Sequence, residues 1–317
     1  MREVISQLAE QLRTGERIGR EAGERVALPS AVVIAGMGGS AMGGELLRAL
    51  TTTHSPVPMT RVRGFGIPSW AGTGTLVVCV SYSGSTAETL VCANRAREQG
   101  ADLLTIGAGG PLGELAAEWG TPHALVPNGL QPRAALGYLF GAMAGAFGAA
   151  GLARDGIALQ AADGVDQVDP EQSRELGERL AGTVPLIYGA GPMAAVAYRW
   201  KTQLNENAKQ PAFSHAFPEL DHNEIVGWEG AKGMFAAVML RDESEQAQTR
   251  RMIEVTASLV EDDAAFVEHV WSPGDSVAGR AFSMVATGDW VSYYAALARG
   301  VDPTPVLRIG ELKSRMG

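Results

Sequence analysis

The segment Ser81 to Thr86 (SYSGST) concentrates groups that can bind an anion. It offers four aliphatic hydroxyls, and Gly84 lets the backbone curl so that amide groups converge on one point. A helix beginning directly after the segment would add the positive end of its macrodipole. These are the groups that a phosphomonoester dianion requires, so we predict a phosphate site here. A serine-rich helix cap without a ligand is the structural alternative.

A glycine-rich loop earlier in the chain, Gly36 to Ser40 (GMGGS), would add the Ser40 hydroxyl. Its spacing, with Ala41 next, also satisfies the dinucleotide fingerprint GxGxxA. That alternative requires an acidic residue about 20 residues later for the adenosine ribose, where the sequence offers Arg61 and Arg63. NADP is therefore disfavoured but stays open, because an arginine can accept a 2′-phosphate.

Both loops follow short apolar runs and precede segments with helical spacing, so each forms a strand, loop and helix unit. The runs are Ala31 to Ala35 and Thr75 to Val80. The alternation of strands with helices predicts a parallel, doubly wound α/β sheet. Ligands of such sheets bind beyond the carboxyl ends of the strands, where both loops lie.

The second half of the chain repeats this pattern. Val184 to Tyr188 ends in a GAGPM loop, and Gly233 to Leu240 ends in Arg241 to Glu245 (RDESE). A duplicated domain explains the repetition simply. The carboxylates of Arg241 to Glu245 would repel a phosphate, so we expect one phosphate site per chain, in the first half. We place the domains at residues 1–152 and 153–317, divided near a polar, turn-rich stretch.

Composition excludes several classes of protein. The formal net charge of −9 argues against a general nucleic-acid binder, which needs an excess of lysine and arginine. The two cysteines, Cys79 and Cys92, have no CxxC or Cys/His neighbours, so neither a disulfide framework nor a zinc site is indicated. The charged start of the chain predicts an amphipathic helix rather than a secretory signal, and we expect a cytoplasmic protein.

The uncharged segment Ala134 to Ala153 is long enough to be weighed as a membrane span. Glycine and alanine make up most of it, which disfavours insertion, so we expect no membrane partner. Gly137, Gly141 and Gly145 leave one helix face bare, so another backbone can approach closely. We predict a tightly packed interior or subunit-interface helix.

The two loops together resemble the SIS (sugar isomerase) domain, and Ser81 to Thr86 matches its SxSGxT phosphate loop. Two later stretches are similar to the bifunctional phosphoglucose/phosphomannose isomerase family: Asn205 to Ala212 (NENAKQPA) and Pro218 to Trp228 (PELDHNEIVGW). Pro132 to Gly137, Gly288-Asp289 and Gly300 to Pro305 also resemble that family, so the similarity extends from Gly36 to Pro305.

This resemblance implies two tandem SIS-type doubly wound parallel-sheet subdomains and a homodimer with shared active sites. It implies interconversion of glucose 6-phosphate and/or mannose 6-phosphate with fructose 6-phosphate, with no metal and no other cofactor. The implied phosphate ligands are Ser40, Ser81, Ser83 and Thr86; the implied sugar contacts are Gly38, Gly39, Ser292 and Arg299; the implied catalytic residues are Arg133, Glu206 and the partner's His222.

The chemistry of such a reaction suits these side chains. A proton moves between C1 and C2 through a cis-enediolate, so one carboxylate suffices as base, and the adjacent carbonyl makes a metal unnecessary. Glu206 lies late in a predicted helix, whose negative end would raise its basicity while Lys209 would oppose that effect. An exposed helical glutamate without a role is the alternative.

The cyclic sugar must also open, and an imidazole titrates in the right range to protonate the ring oxygen. His222 is the candidate, with Glu219, Asp221 or Glu224 able to orient it, and His215 is the rival.

Arg133 would stabilise the charge that develops on the C1 and C2 oxygens of the enediolate. A solvated arginine that merely opens the Gly/Ala helix is the alternative interpretation of this residue.

Two other functions stay open. A sugar-phosphate-binding regulator with the same fold would need Ser81 to Thr86 but not Glu206 or His222. An aminosugar-phosphate isomerase without a glutaminase module is also possible on this sequence.

Overall fold

The computed structural model describes residues 1–316, which fold into two compact units. The N-terminal unit comprises Ser6–Asp166 and Gly274–Phe282; the C-terminal unit comprises Met1–Ile5, Gln167–Pro273 and the chain from Ser283 onward. Independent domains at residues 1–152 and 153–317 remain a proposal, and the end of the second, Gly317, lies outside the described residues.

The N-terminal unit is built on a parallel sheet, as the sequence predicts. Its strands are β1 (Ala31–Gly36), β2 (Met59–Val62), β3 (Thr75–Val80), β4 (Asp102–Gly107) and β5 (His123–Leu125). They lie in the order β2-β1-β3-β4-β5. Strand β3 is buried along its whole length, which explains its continuous apolar run. Gly36 at the end of β1 pairs with Val80 at the end of β3, so the two predicted ligand loops lie side by side.

Helix α1 (Arg2–Ser6) lies almost wholly in the C-terminal unit. The helices that accompany the strands of the N-terminal unit up to residue 166 are α2 (Leu8–Gly23), α3 (Gly38–Thr51), α4 (Ala87–Glu98), α5 (Gly110–Trp119), α6 (Leu136–Ala149) and α7 (Ile157–Val165). A 3-10 helix, Pro132–Ala135, leads directly into α6. Cys79 of β3 and Cys92 of α4 are buried in one hydrophobic cluster and are free thiols.

The glycine face of α6 is covered within its own chain. A Cβ on Gly141 would lie 2.5 Å from the Leu12 carbonyl oxygen, and one on Gly19 would lie 1.8 Å from the Ala142 carbonyl oxygen. The backbones of α2 and α6 therefore touch, which confirms an interior helix and removes the glycine face as a ground for a subunit interface. Across residues 1–316, no helix combines the length and apolar character that a bilayer crossing requires.

The C-terminal unit contains a second parallel sheet, in the order β7-β6-β8-β9. Its strands are β6 (Val184–Ala190), β7 (Phe213–Phe217), β8 (Phe235–Arg241) and β9 (Phe266–Trp271). Its helices are α8 (Arg174–Leu180), α9 (Pro192–Glu206), α10 (Glu224–Gly227), α11 (Ala247–Val260), α12 (Val277–Ala298, which begins in the N-terminal unit) and α13 (Leu307–Met316). Short 3-10 helices are formed by Pro170–Ser173, Glu219–His222 and Trp228–Gly230.

The two sheets share one connectivity. In each, the first strand lies between the second and the third, and the fourth follows the third. Strands β1 and β3 thus correspond to β6 and β8, as the predicted duplication requires.

Candidate active site

Both predicted ligand loops lie at helix N-termini. Met37 is the N-cap residue of α3, and Thr86 is that of α4. The first amides of these helices lack intrahelical acceptors and are available to an anion. Gly84 has a φ of 68°, and a Cβ on it would lie 1.8 Å from the Gly109 carbonyl oxygen, so the loop can close only with glycine at this position.

The loop hydroxyls divide into accessible and supporting ones. Ser83 is exposed and Thr86 is half-buried. Ser81 is fully buried, and its Oγ lies 2.9 Å from the Thr86 Oγ1, so it orients that hydroxyl. Ser40 is also buried and accepts a hydrogen bond of 3.1 Å from the Tyr82 amide. The structure thus joins the two loops through Ser40.

Tyr82 extends this connection toward the segment that contains Arg133. Its hydroxyl donates to the Pro127 carbonyl oxygen at 2.9 Å and accepts from the Leu130 amide at 3.1 Å. Burial raises the pKa of Tyr82, the Leu130 amide opposing this shift, so the hydroxyl stays a donor at neutral pH. Residues 127–130 are consequently fixed against the predicted phosphate loop.

Arg133 is a buried residue, with 3% of its surface exposed, and not the solvated residue of the alternative interpretation. Its guanidinium donates to Oε1 of Gln131. A Cβ on Gly39 would lie 2.8 Å from the Arg133 amide nitrogen, so the start of α3 and the Arg133 backbone are in contact. Gly39, Ser40, Ser81, Thr86 and Arg133 therefore form one connected group within the N-terminal unit.

The corresponding loop of the C-terminal unit is filled by its own side chains. Arg241, 2% exposed, donates to both carboxylate oxygens of Glu245, at 3.0 and 2.8 Å. Asp242 Oδ1 accepts from the amide and the hydroxyl of Ser244, each at 2.8 Å. His269 Nδ1 lies 2.9 Å from Arg241, and burial together with this cation lowers the pKa of the imidazole. One phosphate site per chain stays a prediction.

Glu206 is the last residue of α9 and is half-buried. Lys209, in the left-handed region with a φ of 52°, donates its ammonium to the Glu206 carbonyl oxygen at 2.7 Å and so caps the helix end. Glu206 lines a cavity of about 590 Å³ within the C-terminal unit. The cavity is lined by Asn205, Glu206, Lys209, Gln210, Pro211, Pro305, Val306, Leu307, Arg308 and Ile309.

Ser292 and Arg299 lie beside the end of α9. Their side chains form hydrogen bonds with the protein itself. Ser292 is fully buried; its hydroxyl donates to the Asp289 carbonyl oxygen at 2.7 Å and accepts from the side-chain nitrogen Nδ2 of Asn207 at 2.9 Å. Arg299 donates to the carbonyl oxygens of Ala208 and Ala181. Their observed contacts support the helix ends, so direct contact with a sugar stays a prediction for both.

His222 closes the 3-10 helix Glu219–His222 and is exposed. None of the three neighbouring carboxylates that the sequence offered is its partner in the described part of the chain. Asp221 accepts from Thr256 at 2.8 Å, and Glu224 accepts from Tyr188 at 2.5 Å. Glu224 also faces the rival histidine, because its Oε2 lies 3.0 Å from His215 Nδ1.

Sequence reasoning gave no role to Tyr82 or Tyr188, and it considered Glu224 only as one of three carboxylates that could orient His222. The sequence did contain one sign of such roles, because Tyr188 ends an apolar run and Tyr82 lies in a predicted ligand loop. When a tyrosine ring is buried at such a position, its hydroxyl needs a hydrogen-bond partner. Which partner it finds depends on residues 36 to 48 positions away, at Glu224 and Leu130.

The structure offers less support for the binding of a dinucleotide or a metal ion. Arg61 and Arg63, the candidates for a 2′-phosphate of NADP, both ion-pair with Glu45 of α3. In residues 1–316, no three side chains among histidine, cysteine, aspartate and glutamate are grouped as a metal site.

The chain has two α/β units whose parallel sheets share one strand connectivity, and a hydroxyl-rich loop precedes helix α4. These features define a SIS-domain protein. A family model described as the bacterial phospho-glucose isomerase C-terminal SIS domain matches residues 169–316. The fold is similar to that of the tagatose-6-phosphate ketose/aldose isomerase of Escherichia coli, with a TM-score of 0.73 at 15% identity over 96% of this chain and 95% of the other.

The chain is 36% identical to the bifunctional phosphoglucose/phosphomannose isomerase of Caldicellulosiruptor bescii, over 100% of this chain and 98% of the relative. It belongs to the bifunctional phosphoglucose/phosphomannose isomerase family. The chain is also 34% identical, over 71% of each of the two chains, to the D-glucosamine-6-phosphate 4-epimerase of Sulfolobus acidocaldarius.

Proposed function

We propose that this protein is an aldose–ketose isomerase that interconverts glucose 6-phosphate and mannose 6-phosphate with fructose 6-phosphate through a cis-enediolate. The observation that carries the proposal is the similarity over the full chain to a bifunctional isomerase. The buried, mutually bonded loops of the N-terminal unit support it, because they offer hydroxyls and helix N-termini to a phosphate.

In this proposal the phosphate lies on the first amides of α3 and α4, with Ser83 and Thr86 as direct ligands. Ser40 and Ser81, which are buried, hold the two loops in place through their hydrogen bonds with Tyr82 and Thr86. Gly38, with a φ of 52°, and Gly39 let the backbone approach the substrate.

Glu206 removes the proton from C2 of the open-chain aldose and returns it to C1, so that the base is regenerated in each turnover. Arg133 stabilises the oxyanions of the enediolate; its burial makes the charge more effective than it would be in water. His222 protonates the ring oxygen when the cyclic sugar opens. The abstracted proton is acidified by the carbonyl next to it, so the proposal requires no metal.

A homodimer with shared active sites, located in the cytoplasm, completes the proposal. His222 and Val226, 65% exposed, lie on one surface segment, and Val255 and Leu259 of α11 are exposed as well, so a second copy would cover apolar area around the histidine. The free thiols of Cys79 and Cys92 are in keeping with a reducing compartment.

The test is fructose 6-phosphate formation from each aldose phosphate, with EDTA present, by the wild type and Glu206→Gln. We expect the wild type to turn over both substrates and the variant to lose roughly 10²- to 10⁴-fold in kcat. Glu178→Gln, which neutralises an exposed carboxylate of the same unit, is the matched control and should retain full activity.

Binding of fructose 6-phosphate without any turnover by the wild type would support the regulator instead. Inversion of glucosamine 6-phosphate at C4, without ketose formation, would assign the chain to the activity named for the Sulfolobus relative.

A further inference from the structure

The turn that presents His222 is held at several points although it lies at the surface. Leu220 is fully buried in the core of the C-terminal unit. Asp221 accepts from Thr256 of α11, and Asn223 donates to Glu219 at 3.1 Å while accepting from the Glu224 amide. A surface turn is ordinarily among the more mobile parts of a protein, so this number of anchors requires an explanation.

The strongest anchor reaches the sheet itself. Tyr188 of β6 is fully buried, and its hydroxyl donates to Glu224 Oε1 at 2.5 Å and accepts from the Trp228 indole at 3.2 Å. The other oxygen of Glu224 lies 3.0 Å from His215 Nδ1 of β7. Tyr188 and His215 are paired residues of neighbouring strands, so the Glu224 carboxylate is hydrogen-bonded to one strand and lies beside the next.

The tyrosine is suited to this contact. Burial raises its pKa, and Glu224 raises it further, so the hydroxyl remains a donor at every pH at which the protein would work. Without Glu224 the hydroxyl would lose a charge-assisted acceptor inside the protein, and a charge-assisted hydrogen bond is stronger than a neutral one.

We propose that Tyr188 and Glu224 are a positioning pair that fixes the turn carrying His222 and thereby sets the rate of sugar ring opening. This inference rests on the role proposed above for His222. Neither residue is catalytic, because both act through the turn. Small displacements of a catalytic group reduce rates strongly, so a general acid on a turn needs such a constraint.

Ring opening can be measured apart from isomerisation. The α and β anomers of glucose 6-phosphate interconvert through the open chain, without removal of the C2 proton, and exchange NMR gives the enzyme-dependent rate. The background variant is Glu206→Gln, which blocks isomerisation, and its own measured anomerisation rate is the reference for every variant built on it. In this background Tyr188→Phe should lower the anomerisation rate roughly 10- to 100-fold, as should His222→Asn.

Tyr294→Phe is the matched control, because it removes a tyrosine hydroxyl that donates to Glu171 at 2.7 Å elsewhere in the same unit. It should stay within twofold of the background rate. Glu224→Gln keeps an oxygen acceptor for Tyr188 and should recover most of the rate that Glu224→Ala loses, which a general loss of stability would not do.

An unchanged anomerisation rate in Tyr188→Phe, with His222→Asn impaired, would overturn the positioning role. If Tyr188→Phe does not fold, equal rates for Glu224→Ala and the background would overturn it in the same way. Failure of the proposed isomerase is separable from both outcomes, because it would appear as absent ketose formation by the wild type.

Discussion

The hydroxyl groups of the predicted phosphate loop, Ser81 to Thr86, differ in burial and partners although they are alike in sequence. Ser83 is exposed and Thr86 is half-buried, whereas Ser81 is completely buried and hydrogen-bonded to Thr86. The sequence predicts a loop of hydroxyls at a helix start, because residue types and spacing suffice for that. Which hydroxyl faces a ligand depends on the packing of the neighbouring loop, through Ser40 and Tyr82.

Tyr82→Phe tests the connection between the phosphate loop and the segment before Arg133. The change removes both hydrogen bonds of the hydroxyl and leaves the Leu130 amide without this acceptor. We expect the free energy of unfolding to fall by about 1–2 kcal/mol and kcat to fall several-fold, with the KM for fructose 6-phosphate little changed.

Urea unfolding and steady-state kinetics measure these two effects, and Tyr138→Phe on the half-buried side of α6 is the control. Wild-type kcat in Tyr82→Phe would show that Arg133 is held without the tyrosine.

For the catalytic candidates, the sequence names residues but does not specify their partners. Lys209 was expected to oppose the basicity of Glu206; its ammonium donates to the Glu206 carbonyl oxygen at the helix end, and its effect on the carboxylate stays a prediction. Three carboxylates near His222 were equally plausible partners, and each of them binds elsewhere. Side-chain pairing across strands is decided by register and rotamer, which a local motif does not specify.

At the scale of elements, the sequence predicted that another backbone packs closely against α6, and the structure shows that this backbone is α2. The spacing of Gly137, Gly141 and Gly145 predicted a close neighbour but not which one. Gly15, Gly19 and Gly23 have the same spacing in α2, and their backbones meet α6 at Tyr138, Ala142 and Ala146. Matching the two glycine series would have identified the partner.

Gly19→Ala should destabilise the N-terminal unit. The new methyl would overlap the Ala142 carbonyl group, at 1.8 Å from its oxygen, so the helices must separate. We expect a loss of about 2 kcal/mol or more in thermal or urea unfolding.

Gly310→Ala is the matched substitution, because a Cβ at this helical position meets nothing within 4 Å. It should leave stability unchanged or raise it by about 0.5–1 kcal/mol. Equal effects of the two substitutions would contradict the close contact of α2 with α6.

Glu16 of α2 makes the stability of the folded protein depend on pH. The residue is 5% exposed, and its Oε2 accepts no hydrogen bond within residues 1–316. Burial raises the pKa of its carboxyl group; Arg20 opposes the shift and Asp155 adds to it. Because the folded protein binds this proton more tightly than the unfolded chain, the stabilising contribution is present at low pH and is lost as pH rises through the folded pKa.

Glu16→Gln should therefore raise the Tm by roughly 2–4 °C at pH 7.5, and the difference from wild type should shrink toward pH 4.5. Scanning calorimetry across this range measures it. Glu10→Gln, at an exposed position of the same helix, should show no such trend. A lower Tm for Glu16→Gln at pH 7.5 would show that the charge is stabilising.

At the scale of the whole molecule, the duplicated sheets have diverged at their loops. The strand order is the same in both, yet the second loop is filled by Arg241 and Glu245, while the first presents hydroxyls. The sequence predicted both the repetition and the difference, because strand runs and loop charges are local. It did not reveal that Gly274–Phe282, at the start of α12, belongs with the N-terminal unit, since a helix shared by two units shows no change in composition.

The most direct test of the account is the reaction of fructose 6-phosphate with the wild-type protein in D₂O, followed by NMR at C2 of the products. Isomerisation through a cis-enediolate predicts both glucose 6-phosphate and mannose 6-phosphate, with deuterium at C2 in those turnovers in which the base exchanges the proton taken from C1 with solvent before it protonates C2. Absence of both products would contradict the proposed reaction, and deuterium incorporation at the wild-type rate by Glu206→Gln would contradict the role of Glu206 in it.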